Sequence, residues 1–215
     1  MPFIGNDIVD LTDPENRRKG TDARYISRVL NPRELEMVSG SPDPDTMLWS
    51  LWSCKEASYK ALVKIRKVSS SPLKYSVLFG SQPGPHQFTA TVETPEGEVH
   101  VLLTRRKKYV HAVASTGGES SIGSLRWAVS SLKLPRKEIT PDIQSRAVLS
   151  AAIMKIAKYF KCGPEGLEVV RPMTDSGGVG PPVLLRNGTR AGIDISLSHD
   201  GFFVAYAFQT GTLMP

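Results

Sequence analysis

Apolar and polar positions alternate over short stretches of the chain, and two long stretches separate these strand-like segments. Residues 3–11 predict a strand with a polar end, and residues 14–38 predict mostly helix. Residues 48–67 contain no Gly or Pro and predict a long helix. Further strands are predicted at 74–80, 87–93, 98–104 and 109–115. The turn between the second and third of these indicates a β-meander.

The same order of elements recurs after residues 116–121, whose composition is that of a linker. A strand is predicted at 124–132, and a long helix at 141–160 begins with a Thr cap and a Pro in its first turn. Strands follow at 167–171, 183–186, 194–198 and 202–208, with a Gly/Pro-rich loop at 176–182. We therefore predict an α+β protein of two similar halves, 1–118 and 119–215, each a long helix on a small antiparallel sheet. Two unrelated α+β halves are the alternative.

Composition indicates the compartment in which the protein resides, but it does not identify the chemistry that the protein carries out. The chain has 215 residues, a net charge of +6 and two cysteines, which do not make a disulfide framework. The sequence contains neither a signal peptide nor an apolar run of membrane-spanning length. We expect a cytoplasmic protein in a reducing compartment. The positive charge favours an acidic partner but does not choose between nucleic acid, anionic lipid and acidic protein.

The first two candidate motifs combine carboxylates with a lysine. In the predicted helix, Glu56 and Lys60 are four residues apart and share a face. They form either an ordinary surface ion pair or a metal-binding carboxylate beside a phosphate-binding amine. Asp7 interrupts an apolar strand, as a turn residue or as a carboxylate at the mouth of a site. Because Mg²⁺ typically uses one or two protein carboxylates, Asp7 and Glu56 would suffice to hold it.

The third motif, residues 194–200, ends a strand with small hydroxyls and a histidine. Ser198 and His199 can donate hydrogen bonds to phosphate oxygens, although His199 also fits a surface position at a strand end. A Ser-His hydrolase is disfavoured, since adjacent strand residues point to opposite faces and no Gly-x-Ser-x-Gly elbow occurs.

Together the three motifs resemble the 4′-phosphopantetheinyl transferase superfamily. They stand here as Gly-Asn-Asp-Ile-Val at 5–9, Trp-Ser-Cys-Lys-Glu-Ala-Ser-Tyr-Lys at 52–60 and Ser-Leu-Ser-His at 196–199. Weaker similarities lie at 28–35 and 180–185, where Pro181 replaces the family's lysine. The order of the motifs matches the short members of the family, which trimerise, but this chain has double their length. The resemblance implies a pseudo-twofold fold in which one half keeps the carboxylates and the other keeps the Ser-His strand.

The resemblance also implies an activity and its site. The implied reaction transfers 4′-phosphopantetheine from coenzyme A to a serine of a carrier protein and releases 3′,5′-ADP. It would use Mg²⁺, which Asp7 and Glu56 would hold. Glu56 or a metal-bound water would take the serine proton, and Lys60 would neutralise charge on the leaving group. Phosphate groups of coenzyme A would be bound by Ser198, His199, Lys55, Lys60 and, in compensation for Pro181, Arg186 or Arg190.

The implied partner is an acidic acyl or peptidyl carrier protein of fatty acid, polyketide or peptide synthesis. A candidate docking patch, which also fits a solvated helix face, consists of Arg17, Arg18, Lys19, Arg24 and Arg28. We expect a monomer, because each chain supplies both sides of one site. We expect no binding to membranes, and none to nucleic acid, since no nucleic-acid-binding motif occurs in the sequence. A magnesium-dependent phosphohydrolase or nuclease and a basic nucleic-acid-binding module are the alternatives.

Overall fold

The computed structural model describes residues 2–65, 70–174 and 177–209. Its helices are α1 Ala23–Val29, α2 Pro32–Ser39, α3 Pro44–Leu62, α4 Glu119–Ile122 and α5 Pro141–Phe160. The helix α3 begins earlier than predicted because Asp43 caps it, accepting the N–H of Thr46 at 3.0 Å. The predicted last residues of this helix, 66 and 67, lie outside the described residues, as does Ser176 of the Gly/Pro-rich loop. None of the helices in the described ranges could cross a membrane.

The strands form antiparallel sheets, so the mixed α and β content with antiparallel sheets is confirmed. They are β1 Ile4–Asp10, β2 Ser76–Phe79, β3 Gln87–Thr94, β4 Gly97–Arg105, β5 Tyr109–Ser115, β6 Leu125–Ser131, β7 Leu167–Val170, β8 Val183–Arg186, β9 Thr189–Arg190, β10 Ile195–Asp200 and β11 Phe203–Gln209. Their orders are β1-β5-β4-β3-β2, β10-β11-β6 and β7-β8-β9. The meander is confirmed as β2-β3-β4-β5, with neighbours paired in sequence.

Each long helix covers one face of a sheet. The core under α3 extends from Val9 to Ala114, and the core under α5 extends from Val148 to Phe208. The other face of the β10-β11-β6 sheet packs against β1, where Ile8 contacts Phe203 and Ala205. The strand β1 therefore lies between α3 and the C-terminal sheet, and its alternate side chains face one or the other.

Side chains of β10 complete the hydrogen bonding of β1. As an edge strand, β1 presents outward N–H groups that require acceptors. Three of them donate to β10 or the residue before it: Ile4 to Asp194 at 2.7 Å, Asn6 to Ser196 at 2.9 Å and Asp10 to Asp200 at 2.7 Å. This pairing brings the first and third motifs side by side, although they are about 190 residues apart in the sequence.

Candidate active site

A close contact between β1 and α3 positions the carboxylate of the first motif. A Cβ atom on Gly5 would lie 1.9 Å from the carbonyl oxygen of Ala57, so only glycine allows the strand to approach the helix this closely. Asp7 is two residues further on and points to the same face of the strand. Its Oδ1 accepts a hydrogen bond from Lys60 Nζ at 2.7 Å, which joins the first motif to the second.

Glu56 lies one helical turn before Lys60 and close to Asp7. Burial raises the pKa of Glu56, the negative charge of Asp7 raises it further, and Lys60 opposes both effects. Two nearby carboxylates, one of them costly to ionise, form a donor set that a divalent cation would stabilise. Among the described residues no group of three or more His, Cys, Asp and Glu side chains could hold a metal ion. The pair nevertheless fits Mg²⁺, which takes most of its ligands from water and substrate phosphate.

The two faces of β10 place the residues of the third motif differently. Ser198 is buried against β1, where its Oγ accepts a hydrogen bond from Asn6 Nδ2 at 2.9 Å. His199 points towards α5, with its Nε2 3.3 Å from Ser145 Oγ. Burial lowers the pKa of His199, and the charges of Lys60 and Arg171 lower it further. The imidazole is therefore neutral at pH 7 and lies within the field of two cations.

A cleft lies beside Lys60 and β10. It consists of two adjoining cavities of about 330 and 260 Å³, and Lys60, Arg171 and Leu197 line both. The smaller cavity also reaches Ser198 and His199. The larger one continues past Ser196 to the loop that carries Pro181. Lys60 and Arg171 thus make the centre of the cleft cationic, which suits a phosphorylated ligand.

One comparison with known proteins decides the family. The family model of the 4′-phosphopantetheinyl transferase superfamily matches residues 3–114, which is just over half of the chain. The chain belongs to this superfamily. Its members transfer 4′-phosphopantetheine from coenzyme A to carrier proteins and typically use a divalent metal. No curated protein matches the chain.

Two residues that sequence analysis assigned to coenzyme A do not reach this cleft. Lys55 is fully buried, and its Nζ lies 2.6 Å from Glu34 Oε2 and 3.2 Å from the carbonyl oxygen of Val29. Contact with a ligand would require this buried ion pair to separate, so the placement argues against the predicted role. Arg186 lies on β8 and lines neither cavity.

Sequence analysis missed two cations that line the cleft. Arg171 directly follows β7 and makes no ion pair within the described part of the chain. It supplies a positive charge near Pro181, where the family has lysine. Lys64 is almost fully buried and binds both halves, since its Nζ lies 2.9 Å from Asp194 and 2.7 Å from the carbonyl oxygen of Ile4. Only the spacing of Lys64, one turn after Lys60, could have indicated that it faces the same side of α3.

Proposed function

We propose that this chain transfers the 4′-phosphopantetheine arm of coenzyme A to a serine of an apo acyl or peptidyl carrier protein, with Mg²⁺, and releases 3′,5′-ADP. One observation carries the proposal. Lys60, which pairs with Asp7 at 2.7 Å and lies one helical turn after Glu56, lines the same cationic cavity as Ser198 and His199. The family match covers only the first of these halves.

Asp7 and Glu56 are the residues that would hold the metal. When bound, the ion would neutralise charge on the pyrophosphate of coenzyme A. Without it, the carboxylates depend on Lys60 alone, whose ammonium is only partly buried and remains accessible from the cleft. A phosphate ligand can therefore approach Lys60 without separating a buried pair.

The reaction forms one bond and breaks one bond. The serine oxygen of the carrier attacks the phosphorus that bears pantetheine, and the bond from that phosphorus to the bridging oxygen of 3′,5′-ADP breaks. Glu56 accepts the serine proton, a role that suits a carboxylate whose pKa is raised by burial. Lys60 and Arg171 stabilise the charge that develops on the leaving group, and Ser198 and His199 donate hydrogen bonds to phosphate oxygens.

Mass spectrometry of an apo carrier protein tests this function. After incubation with the chain, coenzyme A and Mg²⁺, we expect one phosphopantetheine adduct on the carrier serine and an equal amount of 3′,5′-ADP. Hydrolysis of coenzyme A without an adduct would indicate a phosphohydrolase instead. If the chain binds nucleic acid and leaves coenzyme A unchanged, the proposal is wrong.

The basic patch on and before α1 is the proposed docking site for an acidic carrier. Arg17, Arg24 and Arg28 are exposed, and Arg28 lies over the ring of Tyr25 at 5.7 Å. The charge of Glu56 contributes to the raised pKa of Tyr25, after the larger effect of burial, so this ring lies near the carboxylate. A carrier bound to the patch would hold its serine close to Glu56.

Reversing the charge of Arg17 and Arg24 together should raise the KM for the carrier roughly tenfold at low salt and leave the KM for coenzyme A unchanged. Rim charges mainly govern the encounter of two proteins, so the effect should shrink as salt concentration rises. The matched control reverses Lys155 and Lys158, which are exposed on α5 and change the net charge equally. Equal losses for the two variants, or a parallel loss of coenzyme A affinity, would contradict docking at this patch.

The division at residues 118 and 119 and an origin by duplication are also proposals. Two parts of the strand order correspond, β1-β5-β4 in the N-terminal half and β6-β11-β10 in the C-terminal half, each with a long helix after its first strand. The residues at 104–105, corresponding to Ser198 and His199, have lost the chemistry of the third motif. Arg105 packs over Phe88 at 4.4 Å and donates to Ser50 Oγ at 2.9 Å, within its own half. From residue 145 onwards α5 contains no carboxylate.

We therefore expect one coenzyme A site per chain and full activity as a monomer. Calorimetric titration with coenzyme A at saturating Mg²⁺ measures the stoichiometry, and light scattering gives the mass of the active species. A ratio near one coenzyme A per monomer agrees with the proposal. Two sites per chain, or activity confined to an oligomer, would show that the second half-site still functions or that the site joins different chains.

A further inference from the structure

Asn6, the second residue of the first motif, is fully buried, and its side chain joins β1 to the third motif. Its Nδ2 lies 2.9 Å from Ser198 Oγ and 3.2 Å from His111 Nε2. An amide nitrogen carries two hydrogens, so these contacts use both of them. The backbone N–H of Asn6 separately donates to Ser196 Oγ at 2.9 Å.

The surroundings fix which way the Asn6 amide points. In the observed orientation Asn6 Oδ1 has no hydrogen-bond partner in the described part of the protein. The opposite orientation would put both amide hydrogens at that position, so that two buried donors instead of one acceptor would be unpaired. Burial lowers the pKa of His111 to about 3, so its ring is neutral. In the tautomer that carries its hydrogen on Nδ1, which has no partner among the described residues, Nε2 accepts from Asn6. Asn6 is therefore the donor in both contacts.

This direction determines what Ser198 can do. Because its oxygen accepts from Asn6, the hydroxyl hydrogen must point elsewhere, and within the described residues it donates to no protein acceptor. Ser198 lines the cavity that contains Lys60, Arg171 and His199. We propose that Asn6 is a positioning residue, which holds the Ser198 hydroxyl as a hydrogen-bond donor for a phosphate oxygen of coenzyme A. This proposal rests on the proposed function and assigns a role to a residue outside the reacting atoms.

Ser196 provides a matched control for this proposal. It is also buried, lines the adjoining cavity and accepts a hydrogen bond from Asn6, but from the backbone. A substitution of the Asn6 side chain removes the bond to Ser198 and leaves the bond to Ser196 in place. Coupling between Asn6 and Ser198, but not between Asn6 and Ser196, is therefore specific to the proposed role.

The test is a pair of double-mutant cycles on coenzyme A binding, measured by calorimetry with Mg²⁺ present. Asn6→Leu keeps the number and branching of the side-chain heavy atoms and has no hydrogen-bond donor. We expect Asn6→Leu and Ser198→Ala each to raise the Kd about tenfold, and the double variant to raise it no further. The effects of Asn6→Leu and Ser196→Ala should instead multiply. Multiplied effects of Asn6→Leu and Ser198→Ala, or an unchanged Kd in a folded Asn6→Leu, would overturn the proposal.

A measurement on the native side chain covers the case in which Asn6→Leu does not fold. The two Nδ2 hydrogens of Asn6 give separate NMR signals, and Ser198→Ala should shift one of them, whereas Ser196→Ala should leave both unchanged. Signals that do not respond to Ser198→Ala would overturn the proposal. Failure of the proposed function looks different, since the native chain would then neither bind coenzyme A nor modify a carrier.

Discussion

Glu56→Gln is expected to lower kcat for phosphopantetheine transfer by at least about a hundredfold, the range for loss of a general base. The amide keeps the size of the side chain but removes both its charge and its ability to accept a proton. Asp7→Asn should have a similar effect, since either change removes one of the two carboxylates that would hold the metal. The measurement is the initial rate of adduct formation at saturating coenzyme A and Mg²⁺.

The pH dependence and a remote variant separate this effect from misfolding. A carboxylate must be deprotonated to hold a metal ion or to accept a proton, so activity should fall as the solution is acidified and Glu56 becomes protonated. The residual activity of Glu56→Gln should not show this fall as the solution is acidified. Glu36→Gln, on the exposed side of α2, removes an equal charge and should leave the rate unchanged. Turnover near that of the unmodified protein in Glu56→Gln would refute the assignment of the metal site.

Much of the fold follows from local patterns in the sequence. The absence of Gly and Pro, the cap residues and the alternation of apolar and polar positions are local properties, and they predict both long helices and the meander. The end of β10 was not predicted correctly. The predicted strand ends at Ser198, whereas the observed strand continues to Asp200. The carboxylate of Asp200 accepts the N–H of Asp10 at 2.7 Å. That contact joins the two halves and has no signal in the local sequence.

The candidate site likewise contains residues whose arrangement follows from the local sequence and residues whose arrangement does not. Asp7, Glu56 and Lys60 lie together as predicted, since helical spacing and a single strand-helix contact determine their arrangement. Arg171 and Lys64 were missed because their positions depend on how the two halves meet. Lys55 could have been assigned from helical geometry, because a five-residue separation places it on a different face of α3 from Lys60.

The buried pair of Lys55 and Glu34 explains why a lysine stands beside Glu56 in the second motif. Both side chains are fully buried, and their atoms approach to 2.6 Å. Glu34 also accepts the N–H of Asn31, in the capping box of α2, and the N–H of Val77 on β2, each at 3.0 Å. One carboxylate thus contacts α2, α3 and the meander, and Lys55 neutralises its charge.

Lys55→Met is therefore expected to lower the free energy of unfolding by about 3–5 kcal/mol, because it leaves a buried carboxylate without its cation. Urea denaturation at pH 7 measures the change. Lys60→Met is the matched control, since its ion pair with Asp7 is partly exposed and should contribute about 1 kcal/mol or less. Adding Glu34→Gln to Lys55→Met should recover part of the loss, since no buried charge then remains.

The two lysines of the second motif should also differ in coenzyme A binding, but there the substitution of Lys60 should have the larger effect. Lys60→Met should weaken it strongly, whereas Lys55→Met should bind coenzyme A normally at temperatures where it remains folded. If Lys55→Met unfolds like the unmodified protein but binds coenzyme A poorly, the predicted contact of Lys55 with the ligand would be correct. The ion pair with Glu34 would then have to open when coenzyme A binds.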